Sequence, residues 1–182
     1  MTDPIEKPKK RKNSKQKGNG FELTVAKLLS KSLAPLNFIR TPGSGARVGG
    51  KNFATIGQMF GEDALKIFVG DVVPVNEKQT NVKFNVSCEC KFYATQDHFA
   101  ALMTDNALVY RWMKESEEDA KKIDRTPILI FKWNHTKIYV ATTGNLPGNT
   151  RKMTLTRPDG ADINVGVLED VLEHQDFWIT QI

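Results

Sequence analysis

From Lys83 to Tyr93, polar and apolar residues alternate along the chain. Phe84, Val86, Cys88, Cys90 and Phe92 fall on one face of an extended segment, and Asn85, Ser87, Glu89, Lys91 and Tyr93 on the other. The first face suits a core. The second holds a carboxylate and an amine two residues apart, pointing the same way. Before this strand, Phe21, Val25, Leu28, Leu29 and Leu33 recur at helical spacing, which predicts a helix from about Gly20 to Leu33 stopped by Pro35. Short strands are expected at 37–40 and 68–75, the second ending near Pro74, and a short helix at 56–68. A helical region with Phe99, Leu102, Trp112 and Met113 on its apolar side follows. It breaks near 104–106 and ends in a charged, solvated run from Glu115 to Lys122. Strands at 128–133 and 137–141 join through Asn134-His135, and a hairpin is centred on Asp159-Gly160. A short helix at 168–173 and an apolar tail through Trp178 complete the pattern.

Composition narrows the class. A chain of 182 residues, 40% hydrophobic and 26% charged, is long enough for one domain with a substantial core. No apolar run approaches the roughly 18 residues of a membrane span, and no secretory signal pattern opens the chain. Two cysteines spaced Cys-x-Cys, with three scattered histidines, suit neither a disulfide framework nor a zinc site, so a reducing, cytoplasmic setting is expected. The net charge of +5 is carried entirely by residues 1–20, where seven Lys/Arg face Asp3 and Glu6. Residues 1–17 read as a flexible basic arm, suited either to phosphate or simply to solubility.

The candidate chemistry is that of phosphodiester hydrolysis. Asp71 is the single charge in the apolar run 68–75 and needs a partner or a metal. Turn residues 77–81 then lead back, so Asp71 and Glu89 fall on consecutive strands expected to pair. Together they can hold Mg²⁺, with Mn²⁺ as an alternative, and the Cys90 carbonyl is a candidate third ligand. Lys91 can orient or deprotonate the water, or stabilise charge at phosphorus. Glu22, beside the apolar stripe of the first helix, is either a further metal ligand or an ordinary first-turn glutamate. Glu89-Cys90-Lys91 is the only Glu-x-Lys in the chain. Asp119-Ala120-Lys121 lies in a helical segment where positions two apart diverge. The segment from Thr41 to Lys51 mixes glycines with Ser44, Arg47 and Lys51, and Arg40 precedes it. Bare glycine backbone lets phosphate approach, though an ordinary connecting loop has the same composition.

Asp71 followed by Glu89-Cys90-Lys91 resembles the signature of the PD-(D/E)xK nuclease superfamily. Within it the chain is most similar to the archaeal-type Holliday junction resolvases, which also occur in phages. Lys17-Gly18-Asn19-Gly20-Phe21-Glu22 resembles that family's opening Lys-Gly-x-x-x-Glu, whose glutamate takes part in the metal site. Arg40-Thr41-Pro42-Gly43-Ser44-Gly45 is similar to its Arg-x-x-Gly-Ser-Gly loop, where the serine is linked to activity. The resemblance covers roughly residues 17–141. It departs at a long Val48–Phe68 insertion, at Gly70 where the pattern has proline, and at 142–182, which have no counterpart.

The resemblance implies a restriction-endonuclease-like α/β core with a central mixed sheet flanked by helices. The expected organisation is an arm at 1–17, a nuclease core at 18–141 and an extension at 142–182 packed on that core. Glu22, Ser44, Asp71, Glu89 and Lys91 are the expected catalytic residues, with Asp71, Glu89, Cys90 and Glu22 at the metal. Lys17, Arg40, Ser44, Arg47 and Lys51 are expected on DNA. The implied activity is metal-dependent cleavage of DNA, branched DNA such as Holliday junctions in particular, by a symmetric dimer in the host cytoplasm if the protein is phage-encoded. Trp112, Met113, Trp133 and the tail are candidates for the dimer interface or for the core. Other readings are a repair or restriction nuclease on duplex DNA, and a non-catalytic DNA-binding or packaging protein.

Overall fold

The computed structural model describes residues 14–41, 69–95, 102–103 and 107–182. A seven-stranded mixed sheet carries helices on both faces, the α/β architecture of restriction-endonuclease-like proteins. In chain order its strands are β1 (Phe38–Arg40), β2 (Val72–Pro74), β4 (Val86–Tyr93), β5 (Thr126–Trp133), β6 (Tyr139–Thr142), β7 (Lys152–Thr156) and β8 (Asp162–Val167). In space they run β1-β2-β4-β5-β6-β8-β7. Among the described strands only β4 and β5 are parallel, paired in register from Val86↔Thr126 to Tyr93↔Trp133. A second, two-stranded sheet pairs β3 (Val82–Phe84) with β9 (Ile179–Gln181).

Two apolar layers hold the sheet. On one face α1 (Ser14–Ser32) inserts Phe21, Val25 and Leu29 against Cys88, Cys90, Ile128 and Ile130, with Trp178 and Val171 closing the same layer. On the other face α3 (Leu108–Lys121) packs Val109, Trp112 and Met113 on Leu129, Phe131 and Ala141. Residues 128–131 are buried without alternation because β5 has a helix layer on each side. Among the described residues there are also three short helices, α2 (Glu77–Thr80), α4 (Leu168–Leu172) and α5 (Gln175–Trp178).

Several expectations need correction. The first helix starts at Ser14, six positions before Gly20, so the last residues of the stretch read as an arm are helical. The alternating segment 83–93 is not one strand. Asn85 separates β3 from β4, donating its N–H to the Trp178 carbonyl and accepting that of Thr126. On the polar face of β4, Ser87 is 4% exposed because α3 covers that side, while Tyr93 at the strand's end is exposed. The run Glu115–Lys122 is not solvated throughout, since Ser116 and Ala120 of α3 are buried. Pro74 ends β2 as expected, and β1 pairs beyond it through Phe38↔Pro74. Trp112 and Met113 are interior residues, as is Trp178, so none of them forms an external interface. The helix expected at 56–68 lies outside the described residues, as do most of 97–106.

Trp178 ties the two sheets together. It is fully buried, lies 6.5 Å from the Phe84 ring at 7° between planes, and donates Nε1–H to the Val171 carbonyl at 3.0 Å. Trp178→Ala should therefore cost about 3–5 kcal/mol of stability in urea unfolding. A loss below about 1 kcal/mol would show that this packing is dispensable.

Candidate active site

The site forms where β2 and β4 part. The two strands share one registered pair, Val72↔Cys88. Asp71, the residue before β2, donates its N–H to the Cys88 carbonyl at 2.7 Å. Its carboxylate accepts the Cys90 N–H through Oδ2 at 2.8 Å. Cys90 thus meets Asp71 through its amide, and a buried carboxylate (7% exposed) gains the partner that burial demands. The close approach depends on Gly70. Its φ is +92°, and a Cβ there would lie 2.9 Å from the Cys88 carbonyl oxygen. Proline, the residue the superfamily pattern puts before this aspartate, cannot adopt that φ. The departure at Gly70 therefore has a local structural cause.

Glu89 and Lys91 point to the α3 side. Lys91 Nζ lies 2.9 Å from Glu89 Oε1 and donates to Glu115 Oε2 at 2.8 Å. Burial first, then the Asp71 charge, pushes the Glu89 carboxyl up to about 8. Glu89 and Glu115 together outweigh the burial of Lys91 and hold its ammonium above the ordinary lysine range. Both thiols are raised by burial, so Cys88 and Cys90 stay protonated on the opposite, core face. Glu22 reaches the same region from α1. Its carboxyl is raised, chiefly by burial and further by Asp71, against an ion pair with Arg40 Nε. Arg40 also donates to Asn19 Oδ1 at 3.0 Å.

The structure brings Glu22, Asp71, Glu89 and Lys91 into one electrostatic neighbourhood, with Cys90 contributing backbone. Arg40 is held by Glu22, and Lys17 lines a cavity next to Lys91. Ser44, Arg47 and Lys51 lie outside the described residues. Glu115 escaped sequence reasoning because it sits in a charged run. The available signal was its place beside the buried Trp112 and Ser116 on α3.

Among the described residues, no three His, Cys, Asp or Glu side chains form a ready-made metal cluster. The donor chemistry nonetheless fits a hard divalent ion. Asp71 and Glu89 offer carboxylate oxygens, Mg²⁺ needs only one or two of these, and their mutual repulsion is what such an ion relieves.

The raised Glu89 carboxyl has a measurable sign. Between an unfolded value near 4.5 and about 8, the folded chain keeps a proton that the unfolded chain has released. Stability from this group is therefore lost as pH rises through that window, by up to about 1.4 kcal/mol per unit. In urea unfolding with EDTA from pH 5 to 9, wild type should fall progressively below Glu89→Gln. Parallel curves would contradict the assignment.

The sequence model of a family described as "phage putative PDDEXK endonuclease" matches residues 13–156. No curated protein and no solved structure matches the chain.

Proposed function

The chain belongs to the phage PDDEXK endonuclease family, and on that premise we propose that it is a Mg²⁺-dependent endodeoxyribonuclease acting on branched DNA, with Mn²⁺ able to substitute. One observation carries the reading. Two buried carboxylates, Asp71 and Glu89, act on each other electrostatically where β2 and β4 part, with a charged lysine fixed between Glu89 and Glu115.

Asp71 and Glu89 would hold the ion, and Glu22 would join them if Arg40 releases it. A bound Mg²⁺ supplies charge relief at a phosphoryl oxygen and acidifies a water ligand. The remaining work belongs to the protein. The Cys90 N–H fixes Asp71 in place, so little reorganisation is needed when substrate arrives. Lys91, kept protonated by its two glutamates, serves as a donor to the charge that builds at phosphorus and as an anchor for the attacking water. Arg40, Lys17 and the cations of the 41–51 segment would engage DNA phosphates. Branched DNA as substrate rests on the resemblance of the Lys17–Glu22 and Arg40–Gly45 segments to the junction resolvases. Paired incisions in such a substrate call for two sites, hence a symmetric dimer.

The test is cleavage of a labelled four-way junction beside matched duplex, with Mg²⁺ and with EDTA. Paired nicks in the junction are expected, lost in EDTA. Asp71→Asn and Glu89→Gln should each lower the rate on the order of 10²–10³-fold, the scale of losing one electrostatic stabiliser. Equal cutting of duplex would remove the branched preference, and undiminished cutting by Asp71→Asn would remove the catalytic assignment. Binding without any cutting would favour a DNA-binding protein.

A further inference from the structure

Arg40 ends β1 with its side chain on Glu22 of α1. Alternation then turns Thr41 to the opposite side of the sheet, the side of Glu89 and Lys91. The β1–β2 register, Ile39↔Val73 and Arg40↔Val72, sets Thr41 across from Asp71 when continued by one residue. The Thr41 N–H accordingly donates to the Asp71 carbonyl at 2.9 Å. Side chains of directly opposed residues share a face, with Cβ atoms about 4.5–5.5 Å apart. The Thr41 hydroxyl is thus the cross-strand neighbour of the Asp71 carboxylate. It is also an anomaly. Thr41 is 1% exposed, and its Oγ1 has no hydrogen-bond partner among the described residues. Thr24, Ser30, Thr80 and Thr150 all place their hydroxyls on backbone carbonyls. An unsatisfied buried hydroxyl costs stability, so its persistence calls for a reason. Ser116 Oγ and Trp133 Nε1 are also unpartnered, but neither residue is opposed to a candidate metal ligand.

We propose that Thr41 is a positioning residue of the metal site, its hydroxyl binding a water carried by the ion that Asp71 holds. The inference rests on the metal-dependent nuclease reading, and it adds to that site a residue which the Asp and Glu-x-Lys pattern does not contain. Mg²⁺ held by one or two carboxylates keeps several of its waters. Those waters are strong donors, and each needs an acceptor. A hydroxyl offers two lone pairs without a charge. It can therefore orient such a water without repelling an incoming phosphate, as a further carboxylate would. Asp71 is fixed through Oδ2 by the Cys90 N–H, so an ion on this carboxylate keeps a constant relation to the opposed strand. The stability lost to the unsatisfied hydroxyl in the metal-free chain is recovered when the hydrated ion binds.

The test uses the full chain with Thr41→Val, which keeps the branched shape, and Thr41→Ser, which keeps the hydroxyl. Mn²⁺ binding is measured without DNA, from the electron paramagnetic resonance signal of the free ion. Affinity should fall about 10-fold in Thr41→Val, the scale of losing a group that supports a metal's own ligands. Thr41→Ser should stay near wild type. In urea unfolding with EDTA, Thr41→Val should have a midpoint no lower than wild type, because the hydroxyl it lacks bonds nothing in the metal-free chain. A threonine with a merely structural role gives the reverse, a lower midpoint and unchanged Mn²⁺ affinity. Either of those results would overturn the proposal, as would Thr41→Ser losing as much affinity as Thr41→Val. A wild type that binds no Mn²⁺ would remove the proposal together with the metal reading. A wild type that binds Mn²⁺ with this dependence on Thr41 and cuts no DNA would remove the nuclease reading alone.

Discussion

Everything at the site depends on how Asp71 lies against β4. One backbone bond to Cys88 and one carboxylate bond to the Cys90 N–H fix it at the point where β2 and β4 diverge. The second of these bonds fills a place on β4 that no residue of β2 reaches, so the acid works as a structural group before it meets any ligand. Gly70 makes the approach possible, since any side chain there would strike the Cys88 backbone. The helix layers on both faces of the sheet then make the region dry enough for one carboxylate to govern its neighbour.

Two of the acids also have resident cations. Glu22 is held by Arg40, and Glu89 by Lys91, which Glu115 steadies from α3. These pairs lower the cost of burying carboxylates in a chain without bound metal. They also mean that a ligand entering the site exchanges partners instead of filling an open cage, in keeping with the absence of a three-residue metal cluster among the described residues.

Much of this was legible in the sequence. Strict alternation over 84–92 assigned the faces of β4 correctly, and the apolar run within 128–133 marked a strand, though not its coverage on both sides. The uniqueness of Glu89-Cys90-Lys91 and its order after Asp71 led to the same region that the fold assembles. What alternation could not show was the break at Asn85, because a residue that changes sheets keeps the same period as one that does not. Nor could it show the burial of Ser87, which depends on α3, or the reach of Glu115 to Lys91 across 24 positions. The start of α1 was misplaced because Gly18 and Gly20 look like breakers, whereas tertiary packing of Phe21 and Val25 overrides local propensity.

The pairing of β3 with β9 has a bearing on the order of assembly. Thr180 reaches Asn85 across 95 positions, and Trp178 receives the Asn85 N–H directly before β4 begins. The strand that carries Glu89 and Lys91 therefore cannot be braced at its entry until residues 178–182 have emerged and docked. Contacts so distant in sequence close slowly. Until that segment docks, the acid and the lysine of β4 sit on a strand whose entry is unbraced, so their alignment is completed by a contact far away in sequence and not by local structure.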